Sequence, residues 1–117
     1  MQLFGIGKRE MEMARLLWEK KELRSSEVVI LCKEKLGWAK STTFTMLRRI
    51  CQHGLFQNID SVVTPVMSEE EYLAKVCKAF VDDKFDGSIA ELVGLVFNNQ
   101  KISEDDREKL REMVQKK

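Results

Sequence analysis

The stretch SSEVVILCKEKLGWAKSTTFTMLRRICQHG, residues 25–54, decides the fold. Ser25 or Ser26 is suited to cap a helix, with Glu27 near its positive end. Val28, Leu31, Cys32 and Leu36 recur at helical spacing, and Gly37 suits a left-handed C-cap. After Trp38 a second helix runs from about Lys40 to His53, with Thr43, Met46, Leu47 and Ile50 facing inward and Gly54 closing it. Two helices joined by a short glycine-bearing turn read as a helix-turn-helix.

The flanks complete the pattern. From Lys8 to Lys20, Met11, Ala14, Leu17 and Trp18 form one apolar stripe, and Leu23-Arg24 is a short extended link. Beyond Gly54, Leu55 to Val66 has strand character at Ile59, Val62 and Val63, ends at Pro65, and predicts a small β-hairpin. Residues 1–66 therefore read as a winged helix-turn-helix domain of three helices plus the hairpin. Ser68 with Glu71 forms a capping box for a fourth helix to about Phe85, with Leu73, Val76 and Phe80 as its stripe and Tyr72 and Ala79 beside it. Asp86-Gly87 breaks that helix. Ser88 then caps a fifth, carrying Ile89, Leu92, Val93, Val96 and Phe97, which Asn98-Asn99 ends as a turn. Ser103 with Asp106 opens a last helix carrying Leu110, Met113 and Val114 inward. The fold class is mainly α, with residues 67–117 as a second, three-helix region.

Composition supports this reading. The chain has 117 residues, 44% hydrophobic and 33% charged, enough apolar matter for a core and many charges for solvated helix faces. One proline and six glycines supply too few turns for an all-β fold. One histidine and three cysteines at unrelated spacings do not make a zinc site, and no cofactor or metal is expected. No apolar run is long enough to span a membrane, the opening MQLFGIGKRE lacks an apolar signal region, and the odd cysteine count points to reduced thiols in the cytoplasm. With no triad, phosphate loop or metal motif, no enzyme activity is expected.

Charge is uneven. Residues 1–66 carry 11 Lys and Arg against 7 Asp and Glu, whereas residues 67–117 carry 9 against 12. The sharper signal is local: no acid occurs from Gly37 to Ile59. Removing the buried positions of the third helix leaves Lys40, Ser41, Thr42, Phe44, Thr45, Arg48, Arg49 and Gln52 facing outward. Ser41, Thr45, Arg48 and Gln52 form one ridge, with Thr42 and Arg49 alongside. Short hydroxylated side chains let a helix approach DNA closely, and arginines reach guanine edges or phosphates. A solvated helix face usually mixes glutamates with lysines, and this one does not.

These residues also carry a resemblance. ELRSSEVVILCKEKLGWAKSTTFTMLRRICQHGLF (residues 22–56) is similar to the core of the penicillinase repressor family. The family pattern E-x-E-x-x-x-x-L-W-E is matched by Glu10, Glu12, Leu17, Trp18 and Glu19. PVMSEEEYL (65–73), FDGSIAELV (85–93) and Ile102-Ser103-Glu104 with Leu110 resemble its dimerisation region, so the likeness spans roughly residues 6–115. The resemblance implies a cytoplasmic, homodimeric transcriptional repressor that reads a palindromic double-stranded DNA operator. It puts Lys40, Ser41, Thr42, Thr45, Arg48 and Arg49 on the recognition helix. Phe44 either packs on a sugar or thymine methyl or contacts a neighbouring helix.

Three departures stand out. The wing, Gln57 to Val63, is several residues shorter than in similar proteins and has no basic side chain. That implies weaker DNA binding, or binding that rests on the recognition helix. It also favours an alternative in which the chain is a protein-interaction homologue that has lost or weakened DNA binding and modulates a related regulator by dimerising. The family's β-lactam-responsive members are cut by a membrane metalloprotease sensor at an Asn-Phe bond. Here the equivalent bond is Leu95-Val96, with Phe97-Asn98 in reversed order, which argues against that partner. The Cys-x-Cys pair of the copper-sensing branch has no counterpart in EMVQKK.

Three short helices cannot bury all their stripes alone, so Leu73, Val76, Phe80, Phe85, Ile89, Leu92, Val93, Val96, Phe97, Leu110, Met113 and Val114 are the expected dimerisation residues. Cys32, Cys51 and Cys77 read as small fillers, with a redox switch as the competing role. His53, at a helix C-terminus, is expected to cap carbonyls or touch phosphate.

Overall fold

The computed structural model describes residues 5–99 and 101–115. Six helices and three strands follow in the order α1 (Lys8–Lys20), β1 (Leu23–Arg24), α2 (Ser25–Leu36), α3 (Lys40–Gln52), β2 (Phe56–Ile59), β3 (Val62–Pro65), α4 (Glu69–Phe85), α5 (Ile89–Asn99) and α6 (Glu104–Gln115). This is a winged helix-turn-helix followed by three helices.

Local signals set most boundaries. Gly37 takes φ +70 and ψ +24 at the end of α2, a left-handed conformation that costs glycine little. The Ser68–Glu71 box is reciprocal: the Ser68 N–H donates to Glu71 Oε1 at 2.8 Å and the Glu71 N–H to Ser68 Oγ at 3.1 Å. The Ser68 backbone and hydroxyl hold the Glu71 carboxyl below its ordinary pKa. Ser88 and Ser103 accept from the N–H groups of Glu91 and Asp106, both at 3.1 Å. Two boundaries differ from the sequence expectation. Neither Ser25 nor Ser26 caps α2; Arg24 holds that position, and its N–H donates to Glu27 Oε1 at 2.7 Å. Asn98 and Asn99 do not form a turn but continue α5, where the Asn99 amide donates to the Leu95 carbonyl at 2.9 Å.

The chain divides into two compact units, one ending at Ala79 and the other beginning at Phe80. The division falls inside α4, whereas the sequence places it at residues 66–67. The reason is Tyr72, which belongs to the core of the first unit. Its hydroxyl accepts the Ile6 N–H at 2.6 Å, and its ring lies 6.0 Å from Trp18.

The first unit's core joins Met13, Ala14 and Leu17 of α1 to Val28 and Cys32 of α2 and to Met46, Leu47 and Ile50 of α3. Leu55, Phe56 and Val63 seal it from the sheet side. The sheet has the order β1-β3-β2, all antiparallel. β2 and β3 meet through the two-residue turn Asp60-Ser61, with φ of +51 and +64. Positive φ at both positions is the geometry whose twist matches paired strands.

In α4 the faces differ from the expected stripe. Tyr72 is 8% exposed and Val76 half-buried, but Leu73 is 41% exposed. In the second unit Val81 is buried, and Phe80 and Phe85 stack with centroids 6.0 Å apart. No described residue of α5 or α6 is buried within the chain. Met113 and Val114 thus do not face inward in one chain; both are exposed. Val93, Phe97, Leu110 and Val114 line an open groove of about 450 Å³, where the Arg107 guanidinium lies 5.4 Å from the Phe97 ring.

Candidate nucleic-acid interface

α3 is fixed from behind. Thr43, Met46, Leu47 and Ile50, at helical spacing, are all buried against α1, α2 and the sheet. The opposite side faces out: Lys40, Ser41, Arg48, Arg49 and Gln52 are exposed, and Thr42, Phe44 and Thr45 are partly so. The eight residues read from the sequence as one surface are therefore on the accessible side of one helix. Their roles diverge.

The N-terminus of α3 begins at Ala39 without a side-chain cap and has no acid in its first turn. Its first N–H groups and the helix dipole are left for an anion, with Lys40 beside them. The Lys40 ammonium sits 5.8 Å from the Phe44 ring centre. Phe44 itself packs against the core cluster, so much of its ring is spent inside the chain. Thr45 Oγ1 donates to the Ser41 carbonyl at 3.0 Å. With that proton engaged, Thr45 presents a methyl group and an acceptor oxygen. Arg48 has no ion-pair partner among the described residues.

Arg49 differs from its neighbour. Its Nη1 lies 3.9 Å from Glu10 Oε1 on α1. His53, the C-cap residue one turn beyond, has Nε2 3.7 Å from Glu10 Oε2. At that C-cap its N–H donates to the Arg49 carbonyl at 3.0 Å, and its imidazole has Glu10 as a neighbour. Sequence reading overlooked Glu10, since an acid on an amphipathic helix reads as solvated. The available signal was its position, one turn before Ala14 on the inward stripe.

The wing adds little positive charge. From Phe56 to Pro65 it has no Lys or Arg, and Asp60 sits at its tip. The Ser25 N–H donates to the Ser61 carbonyl at 2.9 Å, tying that tip to the start of α2. Pairing with β3 brings Arg24 opposite Val62, so the sheet gains an exposed arginine that the isolated hairpin sequence lacks. Between Phe44, Leu47, Arg48, Cys51 and Asn58 lies a shallow cleft of about 320 Å³. Burial raises the Cys51 thiol pKa and pushes that of Cys32 up to about 11, which disfavours the thiolate at both. No group of three His, Cys, Asp or Glu side chains able to hold a metal ion occurs among the described residues. No helix among them is long and apolar enough to cross a membrane.

The penicillinase repressor family model matches residues 6–116. The chain belongs to the penicillinase repressor family. This is a family of transcriptional repressors, not enzymes. The chain is similar to a penicillinase repressor of Bacillus licheniformis, 21% identical over 114 residues that cover 94% of this chain and 89% of that protein. It is similar also to the methicillin resistance regulatory protein MecI of Staphylococcus aureus, 23% identical over an alignment of 118 positions that covers 97% of this chain and 96% of that protein. Among solved structures, the reduced form of MarR from E. coli matches with a TM-score of 0.49 and 12% identity, covering 95% of this chain and 73% of that one. A MepR-like protein complexed with pseudoligands matches with a TM-score of 0.45 and 16% identity, covering 99% and 76%. In this penicillinase repressor family member, then, a basic outward face of α3 accompanies a wing that carries one acid and no base.

Proposed function

We propose that this chain is a homodimeric transcriptional repressor that reads a palindromic operator with α3, residues 1–66 binding DNA and residues 67–117 joining two copies. The observation that carries the reading is the ridge Ser41, Thr45, Arg48 and Gln52, accessible along its length and free of acids, on a helix whose other side is wholly buried. Lys40 and the uncapped α3 N-terminus supply phosphate contacts, Arg48 reaches a base edge or phosphate, and the Thr45 methyl meets a thymine methyl. A twofold assembly through α4–α6 presents two such helices to half-sites one or two DNA turns apart, raising affinity by linkage alone.

The experiment is fluorescence anisotropy with a duplex enriched by the chain from a random-sequence pool. Arg48→Ala and Thr45→Ala weaken binding by about fivefold or more without unfolding the protein. Unaltered affinity in both removes these residues from the interface.

One observation favours a second reading, a dimerising modulator with little DNA affinity. Asp60 at a wing tip fastened to Ser25 offers a phosphate backbone repulsion in place of a contact. A gel shift at two salt concentrations separates the readings, because binding driven by phosphates falls as salt rises.

A further inference from the structure

Glu10 is only 9% exposed, and its Oε2 is wholly buried without a hydrogen bond among the described residues. A carboxylate so placed is costly unless cationic groups face it. Arg49, in the last turn of α3, supplies one, and the imidazole of His53, the C-cap residue, lies beside the other oxygen. Arg49 Nη1 stands 3.9 Å from Oε1, and His53 Nε2 stands 3.7 Å from Oε2. Residues 49 and 53 lie one helical turn apart, so they share a face, while Arg48 is turned about 100° away toward the ridge.

Two adjacent arginines that a sequence assigns to one surface are thus divided by the fold. We infer that Glu10 is a positioning residue for operator reading: it draws Arg49 away from the duplex and fastens the C-terminal end of α3 to α1, leaving Arg48 as the reading arginine. The inference rests on the proposed role of α3. Neither distance is that of a full hydrogen bond, so the Arg49–Glu10 attraction is between charges and holds a direction more than a fixed geometry. An Arg49 released from Glu10 is free to pair with a phosphate, which every sequence offers. It raises affinity for any duplex by a similar factor, and the preference falls for a separate reason: α3, no longer fastened to α1, loses the fixed angle at which Arg48 meets a base edge.

The test measures anisotropy of the full chain on the selected duplex and on a scrambled one, across a range of salt. Glu10→Gln lowers the preference for the selected duplex about tenfold and steepens the log–log salt dependence by about 0.9, the increment that neutralising one more phosphate brings. Arg49→Ala lowers the preference similarly without steepening, and Arg49→Lys, which keeps a cation toward Glu10, retains it. A salt dependence that flattens by about 0.9 in Arg49→Ala makes Arg49 a phosphate ligand and overturns the inference. If Glu10→Gln does not fold, the two Arg49 variants decide alone. Loss of preference in Arg48→Ala beside a wild-type Glu10→Gln overturns the inference and leaves the role of α3 standing. No change in either variant overturns that role, and the inference with it.

Discussion

The indole N–H of Trp18 donates to the main-chain carbonyl of Met67 at 2.9 Å, joining the last turn of α1 to the segment that leads into α4. The same ring lies 5.4 Å from Phe56 and 6.0 Å from Tyr72. Trp18→Phe keeps the aromatic contacts and removes the donor. It costs about 1 kcal/mol, read as a lower denaturant midpoint. An unchanged midpoint means that water satisfies the carbonyl equally well.

The apolar groove of α5 and α6 predicts self-association. Val96 of α5, 36% exposed in the single chain, is an apolar position at which a charge opposes burial in a shared face while leaving the single chain's core untouched. Val96→Asp yields a monomer by light scattering with the helical content intact. A wild-type mass for that variant removes α5 from the contact.

Cys32 gives the stability curve an alkaline edge. Burial carries its thiol from an ordinary 9.0 to about 11, so between those values the folded chain keeps a proton that the unfolded chain releases. The stabilisation is complete below about pH 9 and is lost as pH rises to about 11. Denaturation at stepped alkaline pH shows the decline, and Cys32→Ala makes it shallower. A residue of the decline persists through Cys51, raised in the same direction. Equal slopes in the two proteins remove Cys32 as its source.

Where the first unit ends is testable by truncation. A fragment of residues 1–79 retains Tyr72, its bond from Ile6 and the Trp18–Met67 bond. A fragment of residues 1–66 loses all three and exposes the rings of Trp18 and Phe56. The longer one melts cooperatively by circular dichroism and the shorter one melts lower and more broadly. Coincident melts place the functional edge ahead of α4.

What could be read from sequence was set by short-range rules. The inward set of α3, the Gly37 cap, the Ser68–Glu71 box and the two-stranded wing each depend on residues within a few positions of one another. What escaped depends on distant partners. β1 is a strand only because β3 comes to lie beside Leu23 and Arg24. The buried edge of α4 is Tyr72 and not Leu73, because a phenol can bond the Ile6 N–H while filling core space. Glu10 is the clearest case. Its type predicts solvent, and only the arrival of Arg49 and His53 from another helix makes its burial tolerable.

The two tryptophans pack against the same core from different places, Trp18 beside the rings of Phe56 and Tyr72 and Trp38, half-buried, one residue ahead of the α3 cap. The chain is therefore its own optical gauge. Loosening of the body alters the emission of both, since both rings pack against the core, whereas docking of nucleic acid alters that of Trp38 beside α3, and single Trp→Phe variants tell the signals apart with no label attached.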